Sequence, residues 1–110
     1  MKVQEIVNTL GLTIAAGKSG LNREITGGYV SDLLSDVMGR ASEGEVWITL
    51  QTHKNVMAIA SLKELAAIII VQGLKPDADL LKQAEGEEIP VLITDKSTFE
   101  ITGLLFNLLK

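Results

Sequence analysis

The sequence predicts an α/β domain of three layers, in which a mainly parallel sheet lies between helices. From Glu45 onward, short apolar runs alternate with amphipathic segments in the order strand, helix, strand, helix, strand, helix. The run from Ala67 to Val71 is apolar throughout and rich in β-branched residues, which is typical of a strand covered on both faces. Strands and helices that alternate in this way favour parallel strands joined by crossover connections.

The first part of the chain adds one helix and two strands. Apolar residues at three- and four-residue spacing, followed by Gly11, predict the opening helix; they are Val3, Ile6, Val7 and Leu10. Residues 12–16 and 24–29 predict short strands, and residues 18–22 predict a turn between them. These two strands are expected to pair as a hairpin.

The remaining elements each carry a start or stop signal. Ser31, Thr52 and Ser97 are candidate helix N-caps, and Ser97 forms a capping-box pattern with Glu100. In order, the predicted elements are a helix ending at Gly39, a strand at 46–50, a helix after Thr52, a strand at 67–71, a helix from Pro76 to Gly86, a strand at 91–94 and a last helix after Ser97.

Composition and length narrow the functional classes. A chain of 110 residues, 46% of them hydrophobic, suits one domain over residues 1–110, with some apolar surface covered by a partner, and a homodimer is expected. The net charge of −4 and the scattered basic residues argue against nucleic-acid binding. The longest apolar run, residues 65–71, is too short to cross a membrane, and the first residues do not form a signal peptide. A cytoplasmic location without disulfides is expected, since cysteine is absent.

Gly17-Lys18-Ser19 matches the end of a phosphate-binding P-loop, but the rest of that motif is missing. The glycine required five residues before Gly17 is replaced by Leu12. A P-loop also leads into a helix, whereas this segment leads into a predicted strand. The sequence therefore predicts a polar turn here and no catalytic nucleotide site.

Polar residues at the ends of the predicted parallel strands are the candidate ligand contacts. His53, the only histidine, and Thr52 follow one strand, and Ser97 and Thr98 follow another. Because ligands of open α/β sheets bind beyond the carboxyl ends of the strands, a shallow pocket for an anion is expected there. A purely structural or capping role for each of these residues stays open.

Two further groups are candidates for binding or structure. Thr26-Gly27-Gly28 could admit an anion or a partner backbone, or could form a tight strand end. Asp32 and Asp36, four residues apart, are expected on one helix face, where they are a weak sign of metal binding or catalysis. Neither group completes a catalytic set, and no metal or cofactor is predicted.

Arg23, Thr26, Gly27 and Gly28 resemble the R, T, G and G that name the DRTGG domain family. Asn22 stands near the position of the leading acid of that name, and Asp32 is the candidate for the acid itself. Residues 68–82, 89–94 and 97–100 are similar to the N-terminal domain of HPr kinase/phosphorylase, whose catalysis belongs to a different domain. The resemblance implies an α/β accessory domain without kinase activity.

Residues 47–55 look like single-domain members of the same family, some of them encoded near iron hydrogenase and electron-bifurcating subunits. Two functions follow from these resemblances. The first is a non-catalytic regulatory or interaction module, acting as a homodimer, that senses a small anionic or nucleotide ligand. The alternative is an accessory subunit that docks onto a redox complex of the hydrogenase type, or onto a kinase-like complex, without binding a ligand.

Overall fold

The computed structural model of the protein describes residues 1–110. The chain forms five strands, five α-helices and one 3-10 turn. In chain order they are α1 (Val3–Leu10), β1 (Thr13–Ala16), the 3-10 turn (Lys18–Gly20), β2 (Gly27–Val30), α2 (Leu34–Arg40), β3 (Glu45–Thr49), α3 (Asn55–Leu62), β4 (Ala67–Ile70), α4 (Ala78–Glu87), β5 (Val91–Ile93) and α5 (Thr98–Leu109). No helix combines the length and the apolar content that crossing a membrane requires.

The five strands form one sheet in the order β1-β5-β4-β3-β2. Strands β2 to β5 are parallel, and β1 runs antiparallel to β5. Helices α2, α3 and α4 cover one face of the sheet, and α1 and α5 cover the other. The predicted three-layer α/β fold with a mainly parallel sheet is therefore confirmed.

The predicted hairpin of the first two strands is wrong, because β1 and β2 lie at opposite edges of the sheet. The segment after the 3-10 turn bonds to the start of α1 instead of to β1. The N–H of Val3 donates to the Arg23 carbonyl, and the N–H of Gln4 donates to the Leu21 carbonyl, both at 3.0 Å. These bonds hold the connecting segment against α1, and the chain extends again as β2 at the far edge of the sheet, beside β3.

Two apolar cores lie on the two faces of the sheet. On the face covered by α2, α3 and α4, Trp47 and Ile68 pack against Met57 and Leu80. On the other face, Ile48, Ile69 and Leu92 pack against Ile6 and Ile101. All four residues of β4 are buried, as expected for a central strand with helices on both sides.

Trp47, on β3, belongs to the core. Its side chain is fully buried, and its Nε1–H donates to the Ser31 carbonyl at 2.8 Å. The hydrogen bond satisfies the single polar group of the indole, which allows the ring to be buried without an unpaired donor.

The structure confirms some predicted helix ends and corrects others. Gly11 ends α1 in the left-handed conformation, and Ser97 Oγ accepts from the Glu100 N–H at 3.1 Å at the start of α5. Ser31 and Thr52 are not N-caps, because α2 and α3 begin later, at Leu34 and Asn55. Two predicted C-terminal helix ends also differ: α2 continues past Gly39 to Arg40, and α4 continues past Gly86 to Glu87.

Candidate functional site

The loops that follow β2, β3, β4 and β5 lie together at what we call the carboxyl edge of the sheet, formed by residues 31–33, 50–54, 71–77 and 94–97. The segments that precede these strands form the opposite, amino edge. In parallel sheets, the carboxyl edge is the usual place for a ligand, because the loops there diverge above the ends of the strands.

His53 lies at the carboxyl edge and contacts the start of α4. Its Nδ1 is 2.7 Å from Asp77 Oδ2, and both side chains are exposed. The carbonyl of Thr52 accepts from the Asp77 N–H at 2.9 Å. Thr52 and His53 thus connect the loop after β3 to the loop after β4.

Ser97 and Thr98 lie one loop further along the same edge. Because β4 separates β3 from β5, the loop after β4 lies between these residues and His53. Ser97 Oγ is engaged as the N-cap of α5, and Thr98 is the first residue of that helix. The protein has four cavities, and none is lined by Thr52, His53, Ser97 or Thr98.

Thr26, Gly27 and Gly28 lie at the amino edge, away from the other predicted contacts. Gly27 pairs with Glu45 at the first position of the β2–β3 ladder. Thr26 Oγ1 donates to the Glu43 carbonyl at 2.7 Å. The structure therefore does not bring the two groups of candidate residues together, and their role as ligand contacts stays a prediction.

The carboxylates predicted to share a helix face do not do so, because Asp32 precedes α2. Asp32 Oδ1 accepts hydrogen bonds from Thr49 Oγ1 at 2.9 Å and from the Leu50 N–H at 2.7 Å. This carboxylate joins the ends of β2 and β3. Within the whole chain, no three His, Asp or Glu side chains converge closely enough to hold a metal ion.

Asp36 is the second of these carboxylates and lies in the first turn of α2. The Tyr29 hydroxyl donates to Asp36 Oδ2 at 2.8 Å. This hydrogen bond, the Ser31 hydroxyl and the charge of Arg40 lower the pKa of Asp36, and burial opposes them. The bond to Asp36 also raises the pKa of the Tyr29 hydroxyl. Asp36 is thus an ionised acceptor that fastens α2 to β2.

The segment that matches the end of a P-loop is a structural turn, as predicted. Lys18 and Ser19 lie in the 3-10 turn, and the Gly17 N–H donates to Glu85 Oε1 at 2.9 Å. A Cβ at Gly17 would overlap the Ile89 carbonyl, so this glycine permits close packing against the segment before β5.

Two of the four cavities lie at the edges of the sheet and differ in charge. The amino-edge cavity has a volume of about 700 Å³. Its charged residues are one arginine and four glutamates: Arg23, Glu24, Glu43, Glu64 and Glu87. The carboxyl-edge cavity, about 430 Å³, lies between the loops after β4 and β5. Its charged residues are Lys75, Lys96 and Asp95. Only the carboxyl-edge cavity has an excess of positive charge suited to an anion.

Sequence reasoning missed both lysines of this cavity. Lys75 and Lys96 are far apart in the chain, and each follows a strand by a few residues. The available signal was their position in two loops that a parallel sheet brings to one edge. That signal became usable only with the strand order, which makes β4 and β5 neighbours.

Comparison with known proteins identifies the family. The sequence model of the DRTGG domain family matches residues 5–108 of the chain. The chain belongs to the DRTGG domain family. No curated protein matches the sequence of this DRTGG domain.

A solved structure shares the fold of this DRTGG domain. It is the crystal structure of the CBS and DRTGG domains of the regulatory region of Clostridium perfringens pyrophosphatase, complexed with the activator diadenosine tetraphosphate. The TM-score is 0.72 and the sequence identity is 16%. The match covers 96% of this chain and 45% of that chain, so this DRTGG domain spans less than half the length of its neighbour.

The residues behind the family name hold the amino edge of this DRTGG domain together. The Arg23 guanidinium donates to the carbonyls of Glu87 and Glu88, at the end of α4. The Thr26 N–H donates to the Gly44 carbonyl at 2.9 Å. These contacts stabilise the connections before β2, β3 and β5.

Proposed function

We propose that this DRTGG domain is a non-catalytic regulatory module that responds to a small anionic ligand. The carboxyl-edge cavity is the observation that supports this function best. It combines two lysines with a position at which open α/β sheets bind ligands. Its volume, about 430 Å³, is within the range of small-molecule sites, roughly 300–1,000 Å³.

The structural neighbour supports the regulatory part of the proposal. Its DRTGG domain belongs to a regulatory region that was crystallised with a nucleotide activator. That region also contains CBS domains, and the match covers 45% of its length. We therefore take from it a class of function, regulation by an anionic small molecule.

A thermal-shift screen with nucleotides and phosphorylated metabolites tests the proposal. A ligand at 100 times its Kd stabilises the native state by about 2.7 kcal/mol. For a domain of this size, such a gain raises Tm by roughly 10–20 °C. The uncharged nucleosides are the matched controls and should leave Tm unchanged. A screen in which no anionic compound raises Tm would contradict the proposal.

The proposal includes a homodimer formed through the outer face of α5. Both phenylalanines of the protein, Phe99 and Phe106, lie on this helix, and they are 88% and 66% exposed. A spacing of seven residues places them on one helical face. Glu100 is the sole charged residue among the 12 residues of α5. A helix face this apolar is expected to be covered.

A second copy of the chain is the proposed occupant of this face, because the pattern is symmetric. Thr102 and Gly103 lie midway between the two phenylalanines. If two α5 helices packed antiparallel about a two-fold axis near Gly103, Phe99 of each copy would contact Phe106 of the other. Four covered phenylalanines would bury about 600–1,000 Å², roughly half of a standard interface of about 1,600 Å².

Light scattering separates this homodimer from the alternative of an accessory subunit. We expect about twice the chain mass at micromolar concentration, and the chain mass for Phe99→Ser combined with Phe106→Ser. Leu62→Ser, at an exposed apolar residue of α3, is the matched control and should remain dimeric. A monomeric native protein would contradict the homodimer and would favour docking of α5 onto a different subunit.

A further inference from the structure

The chain changes sides of the sheet between β4 and β5. After β4 it enters α4, which packs on the face that α2 and α3 also cover. After β5 it enters α5, which packs on the opposite face. The two neighbouring loops therefore separate above the carboxyl ends of two adjacent parallel strands. Such a switch point opens a crevice in which α/β sheets bind ligands.

The carboxyl-edge cavity occupies this switch point. Its walls come from both loops and from the turn between α1 and β1; they are Leu10, Gly11, Thr13, Gly73, Leu74, Lys75, Ile93, Thr94, Asp95 and Lys96. Each loop contributes one lysine, Lys75 after β4 and Lys96 after β5. Both lysines are exposed, and neither forms a salt bridge within the protein.

The two loops are held together beneath the lysines by main-chain hydrogen bonds. The N–H of Gln72 donates to the Lys96 carbonyl, and the N–H of Gly73 donates to the Thr94 carbonyl, both at 2.9 Å. By contrast, the main-chain N–H groups of Lys75 and Asp95 make no hydrogen bond within the protein. The cavity thus has a fixed floor, and two of its lining residues, Lys75 and Asp95, carry main-chain N–H donors without a protein acceptor.

The remaining walls indicate the rest of the ligand. Leu10, Leu74 and Ile93 provide an apolar side suited to a base or another flat group. The Asp95 carboxylate lies over Gly73, since a Cβ there would come within 2.9 Å of Asp95 Oδ1. A carboxylate only accepts hydrogen bonds, so in this position it suits a hydroxyl-bearing group such as a ribose.

We propose that the carboxyl-edge cavity binds a ribonucleotide, with Lys75 and Lys96 holding its phosphates. The free N–H groups would donate to the same phosphates, and Asp95 would accept from ribose hydroxyls. The four glutamates of the amino-edge cavity exclude that larger cavity for such a ligand. This inference rests on the proposed response to an anionic ligand and specifies its site and chemical class.

Binding of ADP, followed by calorimetry and by thermal shift, tests the assignment. Replacing both lysines, as Lys75→Ala with Lys96→Ala, should raise the Kd for ADP by at least about 10-fold. The matched control is Lys54→Ala with Lys82→Ala, which removes the same charge from exposed residues that line no cavity. The control should bind ADP as the native protein does. Both double variants should keep the native circular dichroism spectrum, because all four lysines are exposed.

The outcomes separate this inference from the proposed function. An ADP response that is unchanged in the Lys75/Lys96 variant would overturn the site and leave the regulatory function standing. Equal binding of ADP and inorganic phosphate would overturn the ribonucleotide class. A response to other anionic metabolites but to no nucleotide would also overturn the ribonucleotide class. The absence of any anion response in the native protein would overturn both proposals.

Chemical-shift mapping gives an independent readout of position. With ADP, the largest changes should be at the amides of Gly11, Gly73 and Asp95, which surround the carboxyl-edge cavity. The amides of Gly27 and Gly28, which border a groove beside α5, should be unaffected. Changes confined to that groove would overturn the assignment.

Discussion

The Nε–H of Arg23 donates a hydrogen bond to the main-chain carbonyl of Glu88 at 2.8 Å. Glu88 ends α4 in the left-handed conformation, with φ 56°. A second guanidinium N–H reaches the Glu87 carbonyl at 3.3 Å. The last carbonyls of a helix have no partner within the helix, and a positive side chain there also complements the helix dipole. The arginine of the family motif thus acts as a cap for a distant helix.

Arg23→Ala is therefore expected to destabilise the protein by about 1–2 kcal/mol, since it removes both charge-assisted bonds to α4. Arg23→Lys should recover only part of the loss, because an ammonium group cannot reproduce the fork of the guanidinium. Urea unfolding at neutral pH measures both variants. An unchanged midpoint for Arg23→Ala would show that the cap contributes nothing to stability.

Gly44 has a strict conformational role, whereas the pair Gly27-Gly28 has none. Gly44 has φ 82°, and a Cβ there would lie 2.7 Å from Thr26 Cγ2. Gly28 does not have a positive φ. A Cβ at Gly28 would lie 3.5 Å from Leu105 Cδ2, an ordinary contact.

We expect Gly44→Ala to cost more than about 1 kcal/mol, because alanine disfavours the left-handed region and would press on Thr26. Gly28→Ala is the matched control and should stay within about 0.5 kcal/mol of the native protein. Thermal unfolding of both variants decides the matter. Equal stability losses would show that both glycines are constrained in the same way.

The turn around Lys18 should have no part in nucleotide chemistry. The Gly17 N–H is engaged by Glu85, and Gly17 is packed against the segment before β5. We expect no ATP hydrolysis by the purified protein above the buffer rate. Lys18→Ala should also leave the proposed ADP binding unchanged, since Lys75 and Lys96 lie at the opposite edge. ATP turnover that Lys18→Ala abolishes would contradict the non-catalytic assignment.

The fold was predictable because periodicity and burial act locally. The buried run at 67–71 and the spacing in α1 needed no knowledge of distant contacts. The partner of β1 was not predictable in this way, because β1 pairs with β5, almost 80 residues later in the sequence. Local turn chemistry favoured a hairpin, whereas hydrogen bonds between residues 21–23 and α1 direct the chain elsewhere.

The rule for parallel sheets predicts a ligand site at the carboxyl edge, and that location stays a prediction. The residues that line the proposed cavity there were not predicted. Thr52 and His53 were chosen because they follow a strand, and this rule cannot show that Asp77 engages the imidazole. Lys75 and Lys96 become neighbours only through the order of β4 and β5. The switch between the faces of the sheet also depends on which side α5 packs, and no local pattern specifies that side.

The Asp36 pKa leads to a pH-dependent contribution to stability. Because the pKa is lowered in the folded state, chiefly by the Tyr29 hydroxyl, the contribution is fully present above the unfolded Asp value of about 4. It is lost as the pH falls through the lower folded pKa. The stability difference between native protein and Asp36→Asn should therefore be largest near neutral pH and should shrink below about pH 4.

Urea unfolding of both proteins measures this difference. The range from about pH 2.5 to about pH 7 includes the unfolded Asp pKa of about 4. Tyr29→Phe should flatten the profile, since it removes the donor that is the largest cause of the lowered pKa of Asp36. For Tyr29 the pH dependence of the stability contribution runs in the opposite direction, because its pKa is raised in the folded state. Its raised pKa means that its contribution is lost as the pH rises above about 10. A pH-independent difference between native protein and Asp36→Asn would contradict the assignment.

The contact of Asp32 with Thr49 should make that carboxylate important for stability. Thr49 is buried, with 1% of its surface exposed, and its hydroxyl donates to Asp32 Oδ1. Asp32→Ala would leave this hydroxyl and the Leu50 N–H without their acceptor, at a cost of about 1–3 kcal/mol. Thr49→Val keeps the shape of the side chain and removes its donor, and it should cost less. The double variant should lose less stability than the sum of the losses of the two single variants, because a valine at position 49 no longer needs the carboxylate as acceptor. A double-mutant cycle by urea unfolding measures this coupling, and strictly additive losses would show that the hydrogen bond does not stabilise the fold.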